Sequence, residues 1–141
     1  RVSLSAPPEQ EVQVGLELLR ALGLRPPGPR VISCPTCGRI RLDVIGLARR
    51  VERELQQLAG VFPGAAWPTV AIMGCMVNGP GEAREADIAV AGGNRKAVLY
   101  VRGRPVATLA EGALQSAVVD QVRVFLEGGP ACKSRPRRRR R

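Results

Sequence analysis

The residues best suited to chemistry in this sequence are three cysteines and one glutamate. Cys34 and Cys37 stand in "CPTCG", where the proline fixes one backbone dihedral and the following glycine lets the chain fold back. Both sulfurs can therefore point at one centre. Cys75 opens "CMVNGPGE", a loop rich in glycine and proline that ends at Glu82. The spacing thus offers soft thiolate ligands together with one carboxylate.

Three uses compete for the Cys-x-x-Cys motif: a redox dithiol, a zinc knuckle and an iron–sulfur cluster. A zinc knuckle needs a second cysteine pair, whereas Cys75 is single, and Cys132 stands beside an arginine-rich tail where we expect a free thiol. Glu82 is then the remaining fourth ligand. Three thiolates and one carboxylate suit a cluster better than structural zinc, because a hard oxygen on one iron is held weakly and can be exchanged for a substrate oxygen.

The elements that position these residues follow from hydrophobic periodicity. "VIS" predicts a short strand before Cys34, and "TVAIMGC" predicts a buried strand that ends at Cys75. Amphipathic helices are predicted over residues 42–59 and 110–127, with a strand in "DIAVAGG" and a hairpin over 97–109 that turns near Gly103. This order predicts an α/β domain with a small mixed sheet, whose cysteines lie where strands end and α/β folds place their sites.

The segment before the cysteines differs in character. "RVSLS", residues 1–5, alternates like the end of a strand, and residues 7–24 have helical spacing. "RPPGPR" then predicts a stiff linker and a domain boundary. The chain begins with Arg1 rather than methionine, which suggests a piece of a longer protein.

Charge and composition exclude several functions. The net charge is +10, but the stretch 133–141 holds 7 of the 22 basic residues and no acidic residue. The body is therefore only mildly basic, and nucleic-acid binding is not the favoured function. Histidine is absent, which excludes Ser-His-Asp catalysis and histidine-ligated zinc. Without a signal peptide or a long apolar run, the chain is predicted to be cytoplasmic and not membrane-bound.

"ISCPTCGR" and "GCMVNGPGEAREADIAVAGG" closely resemble the 4-hydroxy-3-methylbut-2-enyl diphosphate synthase family, the iron–sulfur reductases of non-mevalonate isoprenoid biosynthesis. The resemblance extends from "RVSLS" to about residue 126. It implies a 4Fe–4S cluster held by three thiolates and one carboxylate, the last also catalytic. It further implies substrate contacts from the loop asparagine and from the opening "RVS". These site residues are Cys34, Cys37, Cys75, Glu82, Asn78, Arg1 and Ser3.

The resemblance also implies an architecture. Residues 1–25 would be the last strand and helix of a truncated TIM-type barrel, and 26–30 the linker. Residues 31–128 would form a cluster-binding domain resembling the 4Fe–4S domain of sulfite and nitrite reductases. Residues 129–141 would be a disordered basic tail.

In that family, two electrons from flavodoxin or ferredoxin drive the reductive ring opening of 2-C-methyl-D-erythritol 2,4-cyclodiphosphate. The family works as a homodimer in which the cluster domain of one subunit caps the barrel of its partner. We therefore expect this chain alone to bind a cluster but hardly to turn over. Two alternatives stay open: a small iron–sulfur electron-transfer protein that uses Cys132 as a ligand, and a basic zinc module that binds nucleic acid.

Overall fold

A five-stranded mixed sheet, with strands in the order β1-β2-β3-β4-β5, organises the residues that the computed structural model describes, namely 1–25, 28–35, 37–77, 79–93 and 96–128. The predicted small mixed α/β sheet is thereby confirmed. The strands are Arg30–Ser33 (β1), Thr69–Met73 (β2), Ile88–Gly92 (β3), Lys96–Val101 (β4) and Arg104–Ala110 (β5). The helices are Pro8–Ala21 (α1), Val44–Val61 (α2), Gly79–Ala83 (α3) and Leu114–Leu126 (α4), and a 3₁₀ turn, Glu111–Ala113, precedes α4.

The first three strands are parallel and the last two are antiparallel to their neighbours. Ala71 of β2 lies opposite Ile32 of β1 and Ala89 of β3. The carboxyl ends of β1, β2 and β3 consequently meet at one edge of the sheet, which we call the cysteine edge because Cys34 and Cys75 follow β1 and β2 there. The β4–β5 hairpin turns at Arg102 and Gly103, both with positive φ, as a two-residue hairpin of this twist requires.

Helix α2 is the main covering element of the sheet. Its N-cap is Asp43, whose carboxylate accepts a hydrogen bond from Gly46 N at 2.9 Å. Its apolar residues recur three and four positions apart, so that one stripe faces the sheet. The buried members of this stripe are Val44, Leu47, Ala48, Val51, Leu55 and Leu58.

The two faces of the sheet have different side chains. The face under α2 and α4, here called the aliphatic face, buries large branched residues, among them Val70, Ile72, Ile88, Val90 and Leu99. The opposite face, under α3, is here called the alanine face, and with α3 it forms a cluster made of Ala71, Met73, Ala83, Ala86, Ala89, Ala91 and Tyr100. The central strands are thus buried on both faces, as parallel strands require.

The N-terminal segment departs from the prediction. Residues 1–5 form no strand, because a strand is stabilised by hydrogen bonds to a neighbouring strand and none of the five strands pairs with them. Helix α1 forms as predicted, with Pro8 in its first turn, but it buries none of its residues. Within the part of the chain that the structure describes, no helix is both long and apolar enough to cross a membrane.

Candidate functional site

Cys34 lies at the cysteine edge immediately after β1. Its backbone N–H donates to the carbonyl of Ile72 at 3.2 Å, which continues the β1–β2 pairing by one residue. Its side chain is half-buried and packs against both the aliphatic and the alanine clusters. The Sγ atom accepts a hydrogen bond from the backbone N–H of Gly74 at 3.2 Å. The first predicted ligand is therefore held against the end of the neighbouring strand.

Cys37 and Cys75 lie beyond the ends of the same two strands. Cys37 is exposed, and its carbonyl accepts from Ile40 N at 3.2 Å, which closes a turn after the motif. Cys75 directly follows Gly74 and is half-buried. The prediction that these cysteines fall where strands end and loops begin is confirmed, and the two strands are parallel neighbours.

Glu82 lies on α3, where the sequence predicts a loop of turn-forming residues. A short helix forms instead, because Gly79 and Ala83 are one turn apart and both are buried against the sheet. A Cβ atom at Gly79 would lie 2.9 Å from Ala91 Cβ and 3.1 Å from Met73 Cβ, so only glycine allows this close approach. Glu82 itself is exposed.

The structure brings the cysteines to one edge but does not gather all the predicted ligands around one point. Among the described residues, no three cysteine, aspartate or glutamate side chains are grouped so as to hold a metal ion. Cys37 and Glu82 are both exposed, so their side chains are not fixed by packing. Asn78, the predicted substrate contact, lies outside the described residues.

Arg1 and Ser3, the other predicted substrate contacts, are exposed on the segment before α1. Leu4 N donates to Glu11 Oε1 at 2.9 Å, and this bond ties the segment to α1 rather than to the sheet. A cavity of about 500 Å³ separates α1 from β1. Its lining includes Arg20 of α1 and Arg30, the first residue of β1, and among the described residues it contains none of the predicted site residues.

The donor set fits an iron–sulfur cluster by its chemistry. Thiolates are the usual cluster ligands, and backbone N–H groups near the sulfurs are a recurrent feature of cluster sites. The hydrogen bond from Gly74 to Cys34 provides such a donor in this chain. Sequence reasoning missed the role of Gly74, although a glycine directly before a cysteine at the end of a strand was a visible signal.

The fold and the site define a mixed α/β domain with cysteines at the carboxyl ends of two adjacent parallel strands. Residues 30–124 match the family model described as GcpE protein C-terminal domain. The chain therefore belongs to the GcpE C-terminal domain family.

Curated relatives support the same family. The chain is 49% identical over 121 residues to the 4-hydroxy-3-methylbut-2-en-1-yl diphosphate synthase (flavodoxin) of Tropheryma whipplei (strain Twist), covering 86% of this chain and 30% of the relative. The proteins of the same name from Mycolicibacterium paratuberculosis and Geobacter sulfurreducens are 44% and 47% identical, over 95% and 89% of this chain and 34% of each relative. The chain thus spans about a third of the length of these relatives.

Proposed function

We propose that this chain is the cluster-binding part of a reductase that converts 2-C-methyl-D-erythritol 2,4-cyclodiphosphate to (E)-4-hydroxy-3-methylbut-2-enyl diphosphate. The observation that carries the proposal is the family match over residues 30–124, together with relatives named as flavodoxin-dependent synthases. In the proposed pathway, the product feeds non-mevalonate isoprenoid biosynthesis.

The cysteines Cys34, Cys37 and Cys75 are the proposed sulfur ligands of a 4Fe–4S cluster, and Glu82 is its proposed oxygen ligand. When bound, such a cluster supplies electrons one at a time and a Lewis-acidic iron. The positions of Cys34 and Cys75 after adjacent parallel strands support this assignment, as does the N–H donor at Cys34 Sγ.

Helix α3 leaves the Glu82 side chain exposed, as a ligand that exchanges with substrate would require. Gly79 and Ala83 anchor the buried side of α3, while the Glu82 side chain is exposed and is not fixed by packing. If a cluster is bound, a carboxylate held this weakly would be the ligand that a substrate oxygen could replace. Glu82 is therefore the proposed catalytic residue of this domain.

Exposed apolar residues beside Cys75 indicate that another surface covers the cysteine edge. Met76 and Val77, next to Cys75, are 42% and 68% exposed, and a covering surface there would keep water from the reaction. We propose that the barrel domain of a partner subunit in a homodimer provides this cover. Residues 1–25 would be the last part of this chain's own barrel. Arg1, Ser3 and, in the loop after Cys75, Asn78 are the proposed substrate contacts. Flavodoxin or ferredoxin is the proposed electron donor.

The cluster assignment can be tested by anaerobic reconstitution with iron and sulfide. The wild-type chain should take up about four irons, and Cys34→Ser, Cys37→Ser and Cys75→Ser should each lose most of the cluster absorbance. Cys132→Ser is the matched control and should bind as the wild type does. Purified protein that holds zinc instead of iron, or a cluster lost in Cys132→Ser, would contradict the ligand assignment.

The reaction can be tested in a chimaera. Residues 1–128 replace the matching C-terminal region of the Geobacter sulfurreducens relative, which is 47% identical over 126 residues. With reduced flavodoxin, this chimaera should open the cyclic diphosphate, and the same chimaera with Cys75→Ser should not. A folded, cluster-loaded chimaera that forms no product would overturn the proposed reaction while leaving the cluster assignment intact.

A further inference from the structure

Gly74 links the ends of β1 and β2 through a hydrogen bond that is not part of the backbone pairing of the sheet. Strand β2 ends at Met73, one residue earlier. The N–H of Gly74 is directed to Cys34 Sγ at 3.2 Å instead of to a backbone carbonyl of β1. The N–H of Gly74 therefore donates to the sulfur of a predicted cluster ligand.

The position of this N–H is fixed from several sides. Arg41 N donates to the carbonyl of Gly74 at 2.8 Å. A Cβ atom at Gly74 would lie 2.8 Å from Val44 Cγ2 and 3.0 Å from Ile40 Cγ1, so any side chain here would force its neighbours or the backbone to shift. From β3, a Cβ atom at Gly92 would lie 2.9 Å from the Gly74 carbonyl oxygen. Gly74 is thus held at its Cα and at its carbonyl between the loop after Cys37 and the end of β3, and this restricts the direction of its N–H.

A hydrogen bond from a fixed N–H to a thiolate stabilises negative charge on the sulfur. A reduced iron–sulfur cluster carries one more negative charge than the oxidised cluster, so the same hydrogen bond favours the reduced form. The sulfur is half-buried, where such a bond is stronger than it is in water.

The geometry points to Gly74 as a positioning residue: its backbone N–H holds the Cys34 sulfur and raises the reduction potential of the cluster bound there. This inference rests on the proposed function, because it requires a cluster at Cys34. It adds a role for a residue that provides no side chain and that the ligand motifs do not include.

Replacement of the Gly74 amide by an ester removes the donor and changes no side chain. The chain offers ligation sites at Cys34 and Cys75, so the segments 1–33, 34–74 and 75–141 can be joined with glycolic acid in place of Gly74. The matched control carries an ester at Arg41, which removes the N–H that bonds the Gly74 carbonyl but leaves the bond to sulfur.

Both proteins are reconstituted with the cluster, and their reduction potentials are measured by spectroelectrochemistry. The Gly74 ester should shift the potential about 59 mV more negative, a tenfold change in the one-electron equilibrium constant. It should also lose iron to a chelator several-fold faster than the wild type does. The Arg41 ester should stay closer to the wild type in both measurements.

A Gly74 ester with the wild-type potential and the wild-type rate of iron loss would overturn the inference and leave the proposed function standing. A wild-type chain that binds no cluster would overturn both together. Gly74→Ala provides a second route, because its methyl group meets Val44 and must displace the N–H. We expect Gly74→Ala to shift the reduction potential in the same direction. The double variant Gly74→Ala/Val44→Ala should recover part of this shift. A Gly74→Ala protein with the wild-type potential would contradict the inference.

Discussion

The two faces of the sheet differ in the size of their side chains and in the helices that pack on them. On the aliphatic face, residues such as Val70 and Ile72 pack under long helices and bury large side chains. On the alanine face, Ala71, Ala89 and Ala91 leave so little bulk that the five-residue helix α3 can lie directly on the sheet. The first face provides most of the apolar burial, and the second brings the glutamate-bearing segment close to the strand ends.

One face of a sheet can therefore provide most of the folding stability while the opposite face positions the residues of a site. On the aliphatic face, large side chains separate the covering helices from the strands. Helix α3 lies closer to the sheet: a Cβ atom added at Gly79 would lie 2.9 Å from Ala91 Cβ, so even one extra methyl group must displace the helix. The two faces should therefore respond differently to mutation, in stability on one side and in cluster binding on the other.

Leu55→Ala should give the largest loss of stability. Leu55 is fully buried between α2 and the sheet, and truncation of such a leucine costs about 2–5 kcal/mol through lost transfer energy and a cavity. Urea unfolding of the metal-free chain measures the change, with the exposed Gln56→Ala as control. At low temperature, where the variant is folded, cluster binding should be that of the wild type, and a selective loss of the cluster would contradict the division between the faces.

Gly79→Ala should cost about 1–3 kcal/mol, because the new methyl group overpacks against Ala91 and Met73. More important, it should lift α3 and weaken cluster retention beyond this loss of stability. Iron loss to a chelator, measured on folded protein, tests the effect. Gly81→Ala is the matched control in the same helix, since a Cβ there meets nothing within 4 Å, and equal effects of both variants would refute the close-approach argument.

Asp43→Ala should have a smaller effect, about 1 kcal/mol, because it removes the N-cap of α2 and its bond to Gly46 N. Asp43→Ala also removes the exposed 3.7 Å ion pair to Arg50, and Arg50→Ala removes this ion pair while it keeps the cap, so Arg50→Ala should cost less, at most about 1 kcal/mol. Thermal and urea unfolding of the two variants compare the cap with the ion pair. A larger loss in Arg50→Ala would show that the ion pair, and not the cap, stabilises the start of α2.

The aliphatic face could be predicted from the sequence because its signal is regular. Residues such as Val51, Leu55 and Leu58 recur at helical spacing, and uninterrupted apolar runs mark β2 and β3. The cysteines could be placed at strand ends by the same reasoning.

The alanine face was harder to predict. The five residues of α3 include two glycines and a proline, whose local preferences favour a turn, and it is contact with Ala91 and Met73 that selects the helix. The bond from Gly74 to Cys34 depends on a contact between residues 40 positions apart, which no local pattern contains. The strand predicted over residues 1–5 is wrong because a local pattern indicates strand preference but not a pairing partner, and none of the five described strands pairs with this segment.

In the proposed site, three sulfurs and one exchangeable oxygen hold a single cluster at the cysteine edge. Mössbauer spectroscopy of the chain reconstituted with ⁵⁷Fe tests it most directly, with Glu82→Gln as the comparison. We predict one iron site that differs from the others in the wild type and that changes in Glu82→Gln while the remaining sites do not. Iron sites that are all sulfur-ligated, with spectra identical in the two proteins, would contradict the claim.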